Sequence, residues 1–149
     1  QNTMPLDSYA RTGDTIDARI NTRLIENIFF KNAPLHDGAA VVRNGRLLCA
    51  GCVLPLTKSD EISSDLGTRH RAAIGMSEQS DAMIVVTSEE TGTISVAFKG
   101  ELTRNLTEAK LREMLIDYLI DSPDNRFTTG DGTFSKIIKG MKKWKRKKN

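Results

Sequence analysis

No apolar run in this sequence approaches the roughly 20 residues that a bilayer-spanning helix needs, so none of its 149 residues reads as a membrane anchor. No secretory signal opens the chain either. It begins at Gln1, and the expectation is a fragment whose preceding part, including any anchor, lies outside this sequence. Cysteine is scarce. The two thiols, Cys49 and Cys52, stand in CAGC with no second pair to complete a zinc site. They lie inside RLLCAGCVL, which reads as a buried strand. Residues three apart on a strand point to opposite faces, so the thiols are expected not to meet and to act as small core residues of a reducing compartment. Internal repeats are absent.

Positive charge is also scarcer than the net +3 suggests. Lys136 to Asn149 carry eight Lys or Arg and no acid, which leaves 14 basic and 19 acidic side chains for the rest. An acidic body with a basic tail lacks the field that a phosphate backbone demands, so no nucleic-acid partner is expected.

What is present is an ordinary globular composition, 38% hydrophobic and 28% charged, at a length that suits one domain. TIDARI (15–20) reads as a short strand. Asn21 caps a helix with Leu24, Ile25, Ile28 and Phe29 at helical spacing. In AAVVRNGRLLCAGCVL (39–54), Asn44-Gly45 separates two apolar runs as a hairpin turn does. A helix follows from Thr68, expected as its N-cap. AMIVVT (82–87) reads as a central strand and TISVAF (93–98) as its return. Thr107 caps a helix that Pro123 stops. The alternation predicts an α/β class with a central mixed β-sheet flanked by helices, in one domain. Its divisions are an N-terminal segment (1–14), the main domain (15–121), and a linker with a basic tail (122–149). The tail places Phe134, Ile137, Ile138, Met141 and Trp144 on one helical face among lysines. That pattern suits a lipid surface, a packing helix, a partner or a disordered end.

Three stretches carry chemistry. In PLHDGAA (34–40), His36 and Asp37 precede a buried strand, with Gly38 and two alanines leaving room for close approach. The pair suits a metal or a base acting on a hydroxyl. On the residues alone, a turn in which Asp37 bonds its own backbone is the favoured reading. In LGTRHRAAIG (66–75), Arg69, His70 and Arg71 fill the first turn of a helix whose N-terminal end already carries partial positive charge. Acids would stabilise that end, so cations there point to an arriving anion, of which phosphate is the natural guest. In SEETG (88–92), paired glutamates suit a solvated turn, or ligation of the divalent cation that accompanies a polyphosphate.

PLHDGAA, LPL, LGTRHRAAIG and VVTSEETG, in this order and spacing, resemble the diadenylate cyclase (DAC) domain over about Ile16 to Leu119. They are especially similar to the CdaA type, in which transmembrane helices precede the domain. The resemblance implies synthesis of cyclic di-AMP from two ATP with release of two pyrophosphates. It implies a metal, Mn²⁺ or Mg²⁺, and a face-to-face homodimer at the cytoplasmic side of a membrane. Carried onto this chain, it makes Asp37, Arg69 and Arg71 catalytic, with Asp37 activating the ribose 3′-hydroxyl. Gly38, Ala39 and Leu54 would meet the nucleotide, Leu54 at adenine. Gly67, Thr68, Arg69, His70, Arg71 and Ser88 would hold phosphates. His36 and one glutamate, Glu90 in preference to Glu89, would ligate the metal. The alternative implied is an ATP-binding regulatory module without turnover.

Overall fold

The structure is a computed structural model that describes residues 6–60 and 62–121. The tail and linker expectations fall on 122–149, outside the described residues. Contacts divide the chain into two units, Gln1–Thr107 and Glu108–Asn149.

The first unit opens with a short helix, α1 (Leu6–Ala10), in a stretch that the sequence left unpatterned. Then come β1 (Asp14–Arg19), α2 (Thr22–Ile28), β2 (Ala39–Arg43) and β3 (Arg46–Cys52). After a long loop follow α3 (Thr68–Gln79), β4 (Ile84–Thr87), β5 (Ile94–Phe98) and β6 (Glu101–Leu106). The second unit's described part is α4 (Glu108–Asp121), where Arg112 reaches Glu108 at 3.2 Å, one turn apart.

Helices and strands are mixed along the chain, in keeping with the expected α/β class. The pairing is antiparallel throughout the described residues, in two three-stranded sheets ordered β1-β3-β2 and β4-β5-β6. Two tight turns fix this for β2-β3 and β5-β6, because a two-residue turn can only join antiparallel strands. Asn44 and Gly45 both take positive φ, 52° and 71°, as do Lys99 and Gly100, at 51° and 82°. Such turns match the right-handed twist of the strands they join. β4 is an edge of its sheet rather than a central strand. β5, with Ser95, Val96 and Ala97 buried, takes the middle.

β3 is the buried spine of the first sheet. Leu47, Ala50 and Ile28 form one cluster, joined by Ile16, Leu24 and Leu35. Leu47 is wholly buried, and enclosing a side chain of that size contributes about 1.5–3 kcal/mol. α2 packs here because Asn21 caps it as expected, its side chain accepting the Leu24 N–H at 3.0 Å. α3 lies against the second sheet through Ala73 and Ile74, which meet Val86 and Ala97.

The cysteines do not follow the expected alternation. Cys52 Sγ lies 3.1 Å from Cys49 Sγ, both thiols buried and free. Gly51 between them takes φ +68°, and β2 shifts register against this stretch, so the strand turns over and brings both thiols to one side. Their role as core residues holds. Burial and the neighbouring thiol push Cys52 up to about 12, which keeps it protonated and inert.

Candidate active site

The carboxylate of the PLHDGAA stretch hangs on a strand entry that glycine makes possible. Gly38 takes φ +127°, and a Cβ there would stand 2.6 Å from the Gly51 carbonyl carbon. Backbone therefore lies on backbone, and Asp37 is turned outward, 91% of its side chain exposed. His36 folds back over the preceding turn, its Nδ1 2.8 Å from the Ala33 carbonyl oxygen. A carbonyl only accepts, so Nδ1 is the donor here and Nε2 is the ring nitrogen left for another partner. This is the arrangement that prepares a histidine for a metal. Ala39 begins β2 opposite Cys52.

α3 supplies the cations. Its cap is Gly67, one residue earlier than expected. Gly67 is extended, and its carbonyl accepts the Arg71 N–H at 3.1 Å, which leaves Thr68 as the first helical residue. No side chain caps this end and no acid occupies the first turn, so N–H groups are left for an outside partner. A Cβ on Gly67 would meet nothing within 4 Å, so the approach is open.

The three residues of Arg-His-Arg separate, because successive helical positions point about 100° apart. Arg69 reaches Glu89 at 2.7 Å and Asp37 at 3.9 Å, so one guanidinium joins the strand-entry carboxylate to the SEETG turn. Arg71 is half-buried and enters no ion pair among the described residues. His70 is buried. Burial first, then the Arg104 charge, holds its imidazole below the usual value, against an opposing pull from Asp65. Its imidazole is therefore harder to protonate than a free one.

Asp65 is itself held low by hydrogen bonds from Ser63 and Arg104. The Arg104 contact, at 3.0 Å, ties the loop before α3 to β6.

Of the two glutamates, the structure brings Glu89 to Arg69. Glu90 is exposed and enters no ion pair among the described residues. Ser88 organises the turn, its Oγ accepting from Thr91 N–H at 3.3 Å and its carbonyl from Gly92 N–H at 2.9 Å. Leu54 is half-buried in the segment that leaves β3. That segment rests directly on α3, where a Cβ at Gly75 would stand 2.3 Å from the Pro55 carbonyl oxygen.

Sequence reasoning missed this last contact. A glycine in mid-helix was the available signal, since it costs helix stability and marks close approach. A separate apolar cleft of about 400 Å³, lined by Ile16, Leu24, Ile28 and Leu35 among others, contains none of the expected site residues. Among the described residues no group of three His, Cys, Asp or Glu side chains is placed to hold a metal unaided.

An open carboxylate beside a guanidinium, a helix start without a side-chain cap and a carboxylate-bearing turn thus stand together. Known proteins resemble this chain in sequence. Residues 1–102 match the family described as DAC, DisA bacterial checkpoint controller nucleotide-binding. The chain is 49% identical to the cyclic di-AMP synthase CdaA of Bacillus subtilis over 110 residues, which is 74% of this chain and 40% of that protein. It is 53% identical to the diadenylate cyclase CdaS of Bacillus thuringiensis over 97 residues, 65% of this chain and 48% of that one. It thus spans less than half the length of these relatives.

Among solved structures, DacA from Staphylococcus aureus superposes with a TM-score of 0.75 at 43% identity, covering 79% of each chain. A hypothetical membrane spanning protein from Bacillus cereus gives 0.67 at 48% identity, covering 72% of this chain and 52% of that one. With well over half of its length matched and its fold shared at this identity, the chain belongs to the DAC family.

Proposed function

We propose that this chain is the catalytic part of a diadenylate cyclase, which joins two ATP into cyclic di-AMP and releases two pyrophosphates. The observation that carries the reading is Asp37, its carboxylate open to solvent and 3.9 Å from Arg69. An open carboxylate can accept the proton of a ribose 3′-hydroxyl, and the adjacent guanidinium can hold the phosphate that the hydroxyl attacks. Each 3′-oxygen forms a bond to the α-phosphorus of the other ATP, and the bond to pyrophosphate breaks. Charge gathers on phosphate oxygens as this happens, where Arg69, Arg71, Thr68 and the free N–H groups of α3 receive it. Gly38 lets the nucleotide lie near the strand entry, Leu54 meets the base, and Ser88 stands beside the phosphates.

A divalent cation, Mg²⁺ or Mn²⁺, fits as a companion of the polyphosphate. Such ions take one or two protein ligands and complete their shell with phosphate and water. His36, with Nε2 free, and a glutamate of the SEETG turn suit that part. Glu89 is the nearer to Arg69, and Glu90 has no competing ion pair among the described residues. Bound there, the ion would neutralise charge developing on the phosphates.

One site presents one ATP, and cyclisation needs two facing each other, so the reading includes a homodimer whose sites meet. Placement at the cytoplasmic face of a membrane follows from the CdaA likeness. Among the described residues no helix is long and apolar enough to cross a bilayer, so an anchor would come from elsewhere in a longer protein.

Incubation with ATP and Mn²⁺ or Mg²⁺ at several protein concentrations tests the reading. Cyclic di-AMP should form with a specific rate that rises with protein concentration. Asp37→Asn should lower turnover by about 10²–10⁴-fold while ATP still binds, because the residue is exposed and its loss disturbs no packing. ATP that binds wild-type protein unreacted at every concentration would favour a regulatory nucleotide-binding module instead.

A further inference from the structure

Thr57 stands two residues beyond Pro55 and is buried, although the loop around it is polar and largely exposed. Its three polar contacts all lock the same segment. Its backbone N–H donates to the Arg71 carbonyl at 3.1 Å. Its hydroxyl donates to Glu78 Oε1 at 2.8 Å and accepts the Ser59 N–H at 3.2 Å. Thr57 therefore joins the chain leaving Leu54 to both the first turn and the third turn of α3.

Gly75 removes the side chain that would hold the two apart, since a Cβ there would lie 2.5 Å from Thr57 N and 2.6 Å from the Leu56 carbonyl carbon. At the other end, the Val53 N–H donates to Thr12 Oγ1 at 2.9 Å. The segment Val53–Thr57 is pinned at both ends, directly between the strand spine and the helix that carries Arg69 and Arg71.

We propose that Thr57 is a positioning residue that sets the distance between the base-contacting main chain at Leu54 and the phosphate-binding start of α3. The pairing would select a ligand whose base and phosphates are one nucleoside apart. This rests on the functional reading above and adds a residue that governs which nucleotide the site accepts. A buried hydroxyl bonded to a helix side chain resists displacement, because losing it leaves the Ser59 N–H without this acceptor and frees the loop from Glu78.

The test compares ATP, GTP and inorganic tripolyphosphate as ligands of the full 149-residue chain by calorimetry. Thr57→Val should weaken ATP binding about tenfold and shrink the preference for ATP over GTP, as expected for one lost buried hydrogen bond. It should leave tripolyphosphate binding within about twofold, because the cations of α3 are untouched. Thr57→Ser should restore ATP binding. Glu78→Ala, at an exposed position that leaves the core intact, should shift ATP in the same direction by a smaller factor.

Equal losses for ATP and tripolyphosphate would overturn the proposal, since they would mean that the substitution damaged α3 itself. Unchanged ATP affinity in both Thr57→Val and Glu78→Ala would also overturn it. If Thr57→Val does not fold, Glu78→Ala alone decides. Wild-type chain that binds ATP yet forms no cyclic product would sink the cyclase reading and leave this comparison intact. Wild-type chain that binds no ATP would sink both.

Discussion

The two sheets have the same size and the same antiparallel pairing, yet both ladders of the first slip and only one of the second does, between Ile94 and Val96 of β5. In the β4-β5 pair the register runs unbroken from Ile84 opposite Ala97 to Thr87 opposite Ile94. In the first sheet each ladder slips, between Thr15 and Ala18 on one side of β3 and between Ala39 and Val42 on the other. Asp17 and Gly51 take positive φ at these places. The regular pair supports α3. The irregular sheet turns Asp37 outward and lays Gly38 on Gly51. Irregular ladders are where a sheet can aim a side chain, and here the aimed group is the candidate base.

The sharpest way to break this contrast is to add one methyl group to each sheet. Gly38→Ala puts a Cβ 2.6–2.9 Å from the backbone of Gly51 and Cys52, at a φ that alanine rarely adopts. Displacing Asp37 by about 1 Å should lower turnover on the order of 10²-fold. Gly92→Ala, in the turn after β4, meets nothing within 4 Å and bears only its positive φ. It should cost about 1 kcal/mol of stability and leave turnover nearly unchanged. Product formation and thermal unfolding of the two variants check both outcomes, and equal losses of turnover would erase the distinction.

A second contrast lies in the cores. Leu47→Ala empties the spine of the first sheet and should cost about 2–5 kcal/mol, read by urea titration. Ile74→Ala, between α3 and the second sheet, should cost a similar amount and in addition weaken tripolyphosphate binding, because the cations ride on that helix. A Leu47→Ala variant with the greater loss of tripolyphosphate affinity would reverse the assignment.

The smallest effect is one of pH. His70 resists protonation when folded, while in the unfolded chain it titrates near 6.5. The unfolded state then binds the extra proton, so stability is unaffected above that value. It falls as pH drops below 6.5 and levels off once the folded imidazole is protonated too. Thermal unfolding between about pH 7.5 and about pH 5 should show this decline, and His70→Gln should flatten it. An unchanged slope in the variant would assign the decline to other groups.

The local parts of this molecule were legible. Asn44-Gly45 announces its hairpin because the turn's backbone demands those residues, and Asn21 announces α2 because only a short polar side chain reaches the helix N–H groups. β6 was not legible. Its sequence, ELTRNL, buries no residue fully, and an edge strand needs only backbone partners. The paired cysteines were misread because alternation assumes an unbroken strand, while Gly51 between them breaks it. At the site, Arg69 and Arg71 stood out by chemistry, while Asp37 read as a turn residue until the family resemblance gave it a role. The choice between Glu89 and Glu90 did not stand out, since adjacent turn residues differ only in a rotation that the sequence does not carry. Thr57 looked like ordinary loop material, and its burial depends on a glycine 18 positions away.

The sheet orders also imply an order in time. β4, β5 and β6 are consecutive neighbours, so each pairing closes only a short loop. β1 pairs with β3 and skips β2, so its ladder waits for α2 and the His36–Asp37 turn to be looped out between them. Short closures lose less chain entropy and form sooner. β2 and β3 close the Asn44-Gly45 turn just as locally, so both hairpins should form before the β1 ladder, an order that φ-values read directly, high at Val96 and low at Ile16. The chain would then close β1 last, over a frame whose two hairpins already stand.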